Sequence, residues 1–204
     1  MSFRKEFKSI ITKNKIKKLE QWVLENGGDI LHSERSINSV YLDNKNLSMY
    51  TDSIEGSVPR KKIRIRSYND QPIFYLENNK LKLKISSAEG RFKKVKDIKK
   101  IDLFRFKIND HNYGSCYPVV CVSYKRIYYS VKNIRLTVDR NITYRVVKLG
   151  KISNHFFNDP YNIIEIKYNN PQYDSVIKSF PFHFVRFSKY SRAMEFKKKK
   201  YGYL

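Results

Sequence analysis

The sequence has no long apolar run, and nowhere does it approach the roughly 18 consecutive apolar residues that a membrane-spanning helix needs. The opening segment, Met1-Ser2-Phe3-Arg4-Lys5-Glu6, also lacks the apolar stretch of a signal peptide. We therefore expect a soluble protein that is not exported. A membrane protein as partner stays open, because the absence of a spanning helix says nothing about partners.

Cysteine is scarce, with only Cys116 and Cys121 in 204 residues. Neither a second cysteine pair nor a nearby pair of histidines accompanies them, so the spacing argues against a structural zinc site. Two buried thiols are the simplest interpretation, and they suit a reducing compartment such as the cytoplasm. We therefore expect a cytoplasmic location.

The common catalytic motifs are also missing. The chain contains neither the Gly-x-x-x-x-Gly-Lys-[Ser/Thr] phosphate loop nor Gly-x-Gly-x-x-Gly. Its histidines, at positions 32, 111, 155 and 183, do not pair with a conspicuous Ser or Cys motif. We interpret each as an ordinary surface or core residue, and we expect no nucleophilic triad.

Acidic residues are few: 19 Asp and Glu face 42 Lys and Arg, which leaves a formal net charge of +23. With 41% hydrophobic and 15% aromatic residues, the chain has enough apolar side chains for a packed core. The charge therefore belongs to a folded protein rather than to a disordered basic tail. It predicts a polyanionic partner, and nucleic acid, an anionic membrane surface and phosphate-rich small molecules all fit.

The hydrophobic pattern predicts strands with a few helices. Apolar residues at helical spacing between Thr12 and Gly27-Gly28 predict a helix over roughly residues 12 to 26. Shorter helices are expected near residues 47 to 54, 173 to 180 and 188 to 200. Most other segments alternate apolar and charged residues and predict about eight strands. No repeat, linker or composition break divides the chain, so we expect one domain over residues 1–204.

Several predicted strands carry charged residues on one face. The alternating ionic positions are Arg4, Glu6 and Lys8; Arg60, Lys62, Arg64 and Arg66; Lys80, Lys82 and Lys84; Arg135, Thr137 and Asp139; and Glu165 and Lys167. A solvated face of an antiparallel sheet is the ordinary interpretation of such alternation. The alternative is the interior of a closed barrel, where the cations would bind a polyanion such as a phosphate chain.

The carboxylates on these faces suggest a metal site. Glu6 and Glu165, each two residues from a lysine, offer the oxygen ligands that Mg²⁺ or Mn²⁺ prefers. In-line phosphoryl transfer depends on positioning and on charge neutralisation by metal and cations, so it needs no nucleophilic triad. The sequence is therefore compatible with phosphoryl transfer even though the usual motifs are missing.

Seven motifs, in order across nearly the whole chain, resemble the VTC domain, the polyphosphate polymerase branch of the CYTH or triphosphate tunnel metalloenzyme superfamily. The segments are Arg4–Lys8 (R-x-E-x-K), Ser39–Asp43 (S-x-Y-F-D), Arg60–Tyr68 (R-x-K-x-R-x-R-x-Y), Tyr124–Tyr129 (Y-x-R-x-Y-Y), Arg135–Asp139 (R-x-T-x-D), Ile164–Tyr168 (L-E-x-K-Y) and Phe187–Tyr190 (F-S-K-Y). Each motif alone is weakly specific, and the specificity lies in their number and order.

The resemblance implies an α+β, mainly antiparallel fold: an eight-stranded triphosphate-tunnel barrel with helices packed outside. It implies a polyphosphate polymerase that transfers the terminal phosphate of ATP to a growing inorganic polyphosphate chain, with a divalent cation, Mn or Mg. Carried over residue by residue, phosphate binding falls on Arg4, Lys8, Arg60, Lys62, Arg64, Arg66, Lys84, Lys93, Arg126, Arg135, Lys167 and Lys189. Metal binding falls on Glu165 and Glu6, and the catalytic group comprises Glu165, Lys189, Arg64 and Arg66.

The chain departs from the family pattern at a mid-strand L-E-x-K motif. Leu76-Glu77-Asn78-Asn79 keeps the Glu and loses the Lys, whereas Leu81-Lys82-Leu83-Lys84 keeps the Lys and places Lys82 where the family has Glu. The second alignment has the better strand pattern. Because it removes a carboxylate, it favours polyphosphate binding over metal-dependent turnover. A tunnel-type inorganic triphosphatase, a non-catalytic polyphosphate-binding domain and a basic nucleic-acid-binding sheet, with nucleic acid the less favoured partner, remain as alternatives.

Overall fold

The computed structural model describes residues 5–68, 70, 79–88, 90–98 and 101–202. Arg4 and the Leu76-Glu77 alignment therefore lie outside the described residues. Within them, the strands are β1 (Lys5–Ile11), β2 (Gly28–Asp43), β3 (Arg60–Ser67), β4 (Asn79–Ser87), β5 (Gly90–Ile98), β6 (Ile108–Asp110), β7 (Gly114–Val131), β8 (Ile134–Lys148), β9 (Lys151–Asn158) and β10 (Asn162–Tyr168). The α-helices there are α1 (Ile16–Glu25), α2 (Ser48–Glu55), α3 (Asp174–Lys178) and α4 (Lys189–Tyr201).

The strands pair in an order that differs from their order in the chain. Eight of them follow the order β1-β10-β8-β7-β2-β3-β4-β5, while β6 pairs with β7 and β9 pairs with β8. The registers of β1 with β10, β10 with β8, β2 with β3 and β3 with β4 are all antiparallel. The predicted class, mainly antiparallel β with helices, is confirmed. None of the helices in the described ranges combines the length and apolar character needed to cross a membrane.

The predicted helices appear close to their expected bounds. A 3-10 turn at Lys13–Lys15 leads into α1, whose residues Leu19, Trp22 and Val23 are buried. Gly28 follows this helix because there is no room for a side chain: a Cβ there would lie 2.5 Å from Cγ2 of Val131. The expected helices near residues 47 to 54, 173 to 180 and 188 to 200 correspond to α2, α3 and α4.

The chain divides into two compact units. The first comprises Met1–Arg35, Tyr124–Ile142 and Asp159–Phe187, and the second comprises Ser36–Ser123, Thr143–Asn158 and Ser188–Leu204. We describe each of them separately.

In the first unit, strand alternation separates an apolar face from an ionic face. Phe7 on β1 lies opposite Ile166 on β10, which in turn lies opposite Leu136 on β8. Ile166 and Leu136 are fully buried and pack in a core that also contains Leu19 and Trp22 of α1. Because side chains alternate along a strand, the neighbouring charged positions of β1, β10 and β8 point to the other face of the sheet.

The second unit repeats this separation on β2 and β3. Val40 lies opposite Ile65, and both side chains are fully buried. Arg64 and Arg66 lie on either side of Ile65 along β3. They therefore share the opposite face with Ser39 and Tyr41 of β2. In both units, the apolar half of the alternation supplies the core and so fixes which charged residues lie side by side.

Candidate functional site

Two rows of charged residues cross β1, β10 and β8 in the first unit. In one row, Lys8 lies opposite Glu165, which lies opposite Thr137. In the adjacent row, Glu6 lies opposite Lys167, which lies opposite Arg135. These rows bring together residues that lie far apart in the sequence, and they contain most of the site residues predicted for this part of the chain.

The ammonium group of Lys167 pairs with two carboxylates of this cluster. Its Nζ forms an ion pair with Glu165 and lies 3.7 Å from Oε2 of Glu6. Glu6 is also 3.8 Å from Nζ of Lys8, whose ammonium donates a hydrogen bond of 2.9 Å to the carbonyl oxygen of Phe187. The two predicted metal-ligand glutamates thus contact the same lysine.

Arg126 on β7 links this cluster to a second buried carboxylate. Its Nη2 donates a hydrogen bond of 2.8 Å to Oδ2 of Asp139 and lies 3.6 Å from Oε2 of Glu165. Burial disfavours a charged guanidinium, but Asp139 and Glu165 outweigh it and raise the pKa of Arg126 well above its usual range. The alternation of β8 predicts Asp139 on a charged strand face, but no sequence pattern predicts its pairing with Arg126.

Three neighbouring cations stabilise Glu165 as an anion. Burial acts to raise its pKa, but Lys167, Lys8 and Arg126 together hold the pKa of this carboxyl well below its usual range. Burial lowers the pKa of Lys167, and the neighbouring carboxylates oppose that effect. Glu165 is therefore ionised at neutral pH, as a metal ligand must be.

The donor atoms of the cluster fit a Mg²⁺-type cation in part. Such ions are commonly held by one or two carboxylates, with substrate phosphates and water completing the shell. Glu165 and Glu6 supply the carboxylates, and the buried Oγ1 of Thr137, opposite Glu165, has no hydrogen-bond partner among the residues that the structure describes. Within the described residues, no three His, Cys, Asp or Glu side chains converge on one point.

The second unit contains a face of cations formed by β2, β3 and β4. Arg64 lies between Tyr41 and Lys82 in the register of these strands, and Arg66 lies between Ser39 and Lys80. Further along β3, Lys62 lies opposite Lys84, which lies opposite Lys93 on β5. We call these residues of β3, β4 and β5 the cationic face.

Hydroxyl groups hold the cations of β3 in place. Nη1 of Arg64 donates to the Tyr41 hydroxyl at 3.2 Å, Nε of Arg66 donates to Oγ of Ser39 at 3.1 Å, and Nζ of Lys62 donates to Oγ of Ser188 at 2.9 Å. Because a hydroxyl group is neutral, these bonds orient the side chains without cancelling their charge.

The positive charge of this face lowers the pKa of Tyr41. Burial acts to raise its pKa, yet Arg64, Arg66 and Lys189 together lower the pKa of the phenol below its usual value. Ser188 accepts a hydrogen bond of 3.3 Å from the backbone N–H of Ser191 and so caps α4 immediately before Lys189. The predicted catalytic residues Arg64, Arg66 and Lys189 therefore lie near one phenol.

Arg60 differs from the other cations of β3. Its Nη1 donates to the carbonyl oxygens of Gly56 at 3.1 Å and Ser57 at 3.0 Å. Its guanidinium group thus stabilises the turn before β3.

The alignment that places Lys82 at the family Glu position falls inside β4, while Glu77 lies outside the described residues.

Comparisons with known proteins agree with this fold. The family model of the VTC domain matches residues 3–197. A Vibrio parahaemolyticus protein with a provisional adenylate cyclase name superposes with a TM-score of 0.52 and 12% identity, over 95% of this chain and 98% of that one. This likeness confirms the predicted fold.

Two further structures are more distant. A Hippeastrum protein with a provisional adenylyl cyclase assignment and a dominant triphosphatase activity gives a TM-score of 0.48 and 13% identity, over 93% of this chain and 94% of that one. A Pyrococcus horikoshii protein, PH1012, gives 0.44 and 15%, over 85% of each chain. No curated protein sequence matches this chain significantly.

Proposed function

Since this chain belongs to the VTC domain family, we propose that it is a polyphosphate polymerase, which transfers the terminal phosphate of ATP to an inorganic polyphosphate chain. The observation that carries the proposal is the buried cluster around Glu165. There, Lys8, Arg126 and Lys167 hold a carboxylate ionised, and Arg135 lies opposite Lys167 on the same strand face. In this proposal these cations bind phosphate oxygens. Family membership and tunnel fold give the coarser conclusion, a phosphate-related function; the polymerase activity is our proposal.

The proposed reaction is an in-line displacement at phosphorus. A terminal phosphate oxygen of the acceptor chain attacks the γ-phosphorus of ATP, the new P–O bond forms, and the bond from that phosphorus to the β,γ-bridging oxygen breaks. ADP leaves with the electron pair, so the acceptor grows by one phosphate. Positioning and charge neutralisation suffice for such a step, which is consistent with the absence of a nucleophilic triad from the sequence.

Residues of the chain take distinct roles in this proposal. Lys8, Arg126 and Lys167 neutralise phosphate oxygens beside Glu165, while Arg64 and Arg66 bind phosphate oxygens on the cationic face. Lys189 adds a third cation near these arginines. A divalent cation, when bound, neutralises charge on the transferring phosphate, and Glu165 with Glu6 would hold it. Mn²⁺ and Mg²⁺ both fit carboxylate oxygens.

Purified protein incubated with ATP and Mn²⁺ tests the proposal, with products separated on a polyacrylamide gel and ADP measured in parallel. We expect long polyphosphate chains in step with ADP release, and their loss in Glu165→Gln. Glu25→Gln, at the exposed end of α1, is the matched control and should remain active. Release of free phosphate without chains would instead indicate a triphosphatase.

A second function is supported by Lys82. Lys82 lies in β4, and in one of the two alignments it takes the position of the family Glu. The cationic face would then bind phosphate chains through this ammonium, without a metal held by a carboxylate. Polyphosphate binding without turnover is therefore the alternative. It predicts a higher melting temperature with tripolyphosphate, no ADP release, and binding that Glu165→Gln leaves almost unchanged.

A further inference from the structure

Lys82 is the most deeply buried lysine of the cationic face. It lies in the middle of β4, opposite Arg64 on β3 and Val95 on β5, and only 8% of its surface is exposed. A lysine this buried normally has a carboxylate partner, because an uncompensated charge is costly to remove from water. The contacts of its ammonium group therefore need an explanation.

A single hydroxyl is the hydrogen-bond partner of this ammonium within the described residues. Nζ of Lys82 donates to the Tyr68 hydroxyl at 2.7 Å and lies 5.2 Å from the centre of the Tyr68 ring. An ammonium has three N–H donors, so two remain available to an acceptor that is not part of this protein region. The phenol orients the lysine but, being neutral, does not supply a counter-charge.

The carboxylates at neighbouring positions of this face are engaged elsewhere. Asp43 of β2 is fully buried and accepts hydrogen bonds from the backbone N–H groups of Met49 and Tyr50. Asp97 of β5 pairs with Lys80 at 2.8 Å, and its side chain is mostly exposed. Neither carboxylate forms an ion pair with Lys82.

The pKa of Lys82 agrees with this imbalance of charge. Burial, and then the neighbouring Arg66, lower the pKa of the ammonium to about 8, although the hydrogen bond to Tyr68 opposes them. A bound anion would relieve both effects, because it would supply a counter-charge and accept the N–H groups that have no acceptor among the described residues.

We propose that Lys82 binds a phosphate oxygen directly, so that phosphate chains bind to the cationic face without a divalent cation. The inference rests on the proposed function and adds to it the metal independence of one part of the binding surface. A carboxylate at this position would repel phosphate and would need a bridging cation, whereas an ammonium contacts the oxygen itself. In the part of the chain that the structure describes, a divalent cation would then act only where Glu165 and Glu6 lie.

Calorimetric titration of the full chain with tripolyphosphate in excess EDTA tests this inference. We expect the wild-type protein to bind, and Lys82→Met to bind about 10- to 100-fold more weakly, the loss expected for one charged hydrogen-bonded contact. Lys82→Glu should bind more weakly still in EDTA and recover part of its affinity with Mn²⁺. Lys96→Met is the matched control, since it removes one lysine of the neighbouring strand β5 that lies opposite Leu81, on the other face of the strand pair.

Two results would overturn the inference: a wild-type protein that binds tripolyphosphate only with Mn²⁺, or a folded Lys82→Met that binds in EDTA as tightly as the wild type. Circular dichroism and thermal denaturation establish that the variants fold. If a variant does not fold, the binding of tripolyphosphate to the wild type with and without EDTA still decides whether binding needs a divalent cation.

Failure of the inference is distinct from failure of the proposed function. Polymer formed from ATP by the wild type, combined with unchanged binding by Lys82→Met, would refute the role of Lys82 and leave the polymerase proposal intact. Metal-independent binding that depends on Lys82, without any polymer, would support the inference and refute the polymerase.

Discussion

Arg126 and Asp139 form a two-pronged ion pair between β7 and β8, with the carboxylate completely buried. Nη2 of Arg126 reaches one carboxylate oxygen at 2.8 Å, and Nε donates to the other. Removing one partner of a buried pair leaves an uncompensated charge, which costs far more than the pair itself contributes. Asp139 therefore keeps Arg126 in place beside Glu165.

We expect Asp139→Ala to lower the free energy of unfolding by about 3–5 kcal/mol, because the guanidinium of Arg126 would lose its main counter-charge. Urea denaturation measures this change. Asp97→Ala is the control, since Asp97 forms an exposed pair with Lys80 at 2.8 Å, and its effect should stay within about 0.5 kcal/mol. Equal losses in the two variants would contradict a structural role for the Arg126 pair.

Glu165 should stabilise the folded protein over a definite pH range. Its pKa in the folded chain lies well below the ordinary value of 4.5, so its contribution is present above that value and is lost as the pH falls through the folded pKa. The difference in free energy of unfolding between wild type and Glu165→Gln should thus be constant from about pH 6 to 8 and shrink below about pH 4. A difference that grows on acidification would show that this carboxyl is not held ionised.

Lys82 should also make stability rise with pH, but in the alkaline range. Its folded pKa of about 8 lies below the ordinary 10.5, so between these values the unfolded chain binds more protons and stability rises with pH. The groups facing it are Arg64, Arg66 and Tyr68, and the phenol is the one that also titrates at alkaline pH. Comparing urea unfolding of wild type and Lys82→Met from about pH 7 to 10 isolates the lysine. Identical pH profiles of the two proteins would mean that folding does not lower the pKa of Lys82.

Tyr190 tests the part of the second unit that supports Lys189. Its hydroxyl donates to the buried carboxylate of Asp43, whose pKa burial raises despite that bond and the backbone N–H donors. Tyr190→Phe should lower the free energy of unfolding by about 1–3 kcal/mol, because a buried acceptor loses a donor. Tyr50→Phe, which keeps the edge-on ring contact with Tyr190, is the control and should change it little. A similar loss in both variants would show that the effect does not depend on the hydrogen bond to Asp43.

The sequence predicted the elements with strong periodicity best. The helix expected over residues 12 to 26 appears as a 3-10 turn followed by α1, and the alternation of β3 places Lys62, Arg64 and Arg66 on one face. These features depend on local patterns of apolar residues, which are visible along the chain. The fold class and the family resemblance were confirmed for the same reason.

Long-range partners were not visible in this way. Nothing in the sequence indicated that Arg126 would contact Asp139, or that Tyr68 would orient Lys82, because each contact depends on strand register. Strand alternation also placed Arg60 with the other cations of β3, whereas its guanidinium binds carbonyl groups of the preceding turn. A residue at the first position of a strand is free to contact a turn, which residues inside the strand are not.

Ser188 connects the cationic face to the backbone of α4. Its Oγ accepts a hydrogen bond from the Lys62 ammonium and another from the backbone N–H of Ser191. If a bound phosphate draws the Lys62 ammonium away, Oγ of Ser188 keeps only the hydrogen bond from the Ser191 N–H. The rate at which this amide exchanges its hydrogen with solvent should then change. The hydrogen–deuterium exchange rate of the Ser191 amide would thus report phosphate binding on the neighbouring strand without an added fluorophore.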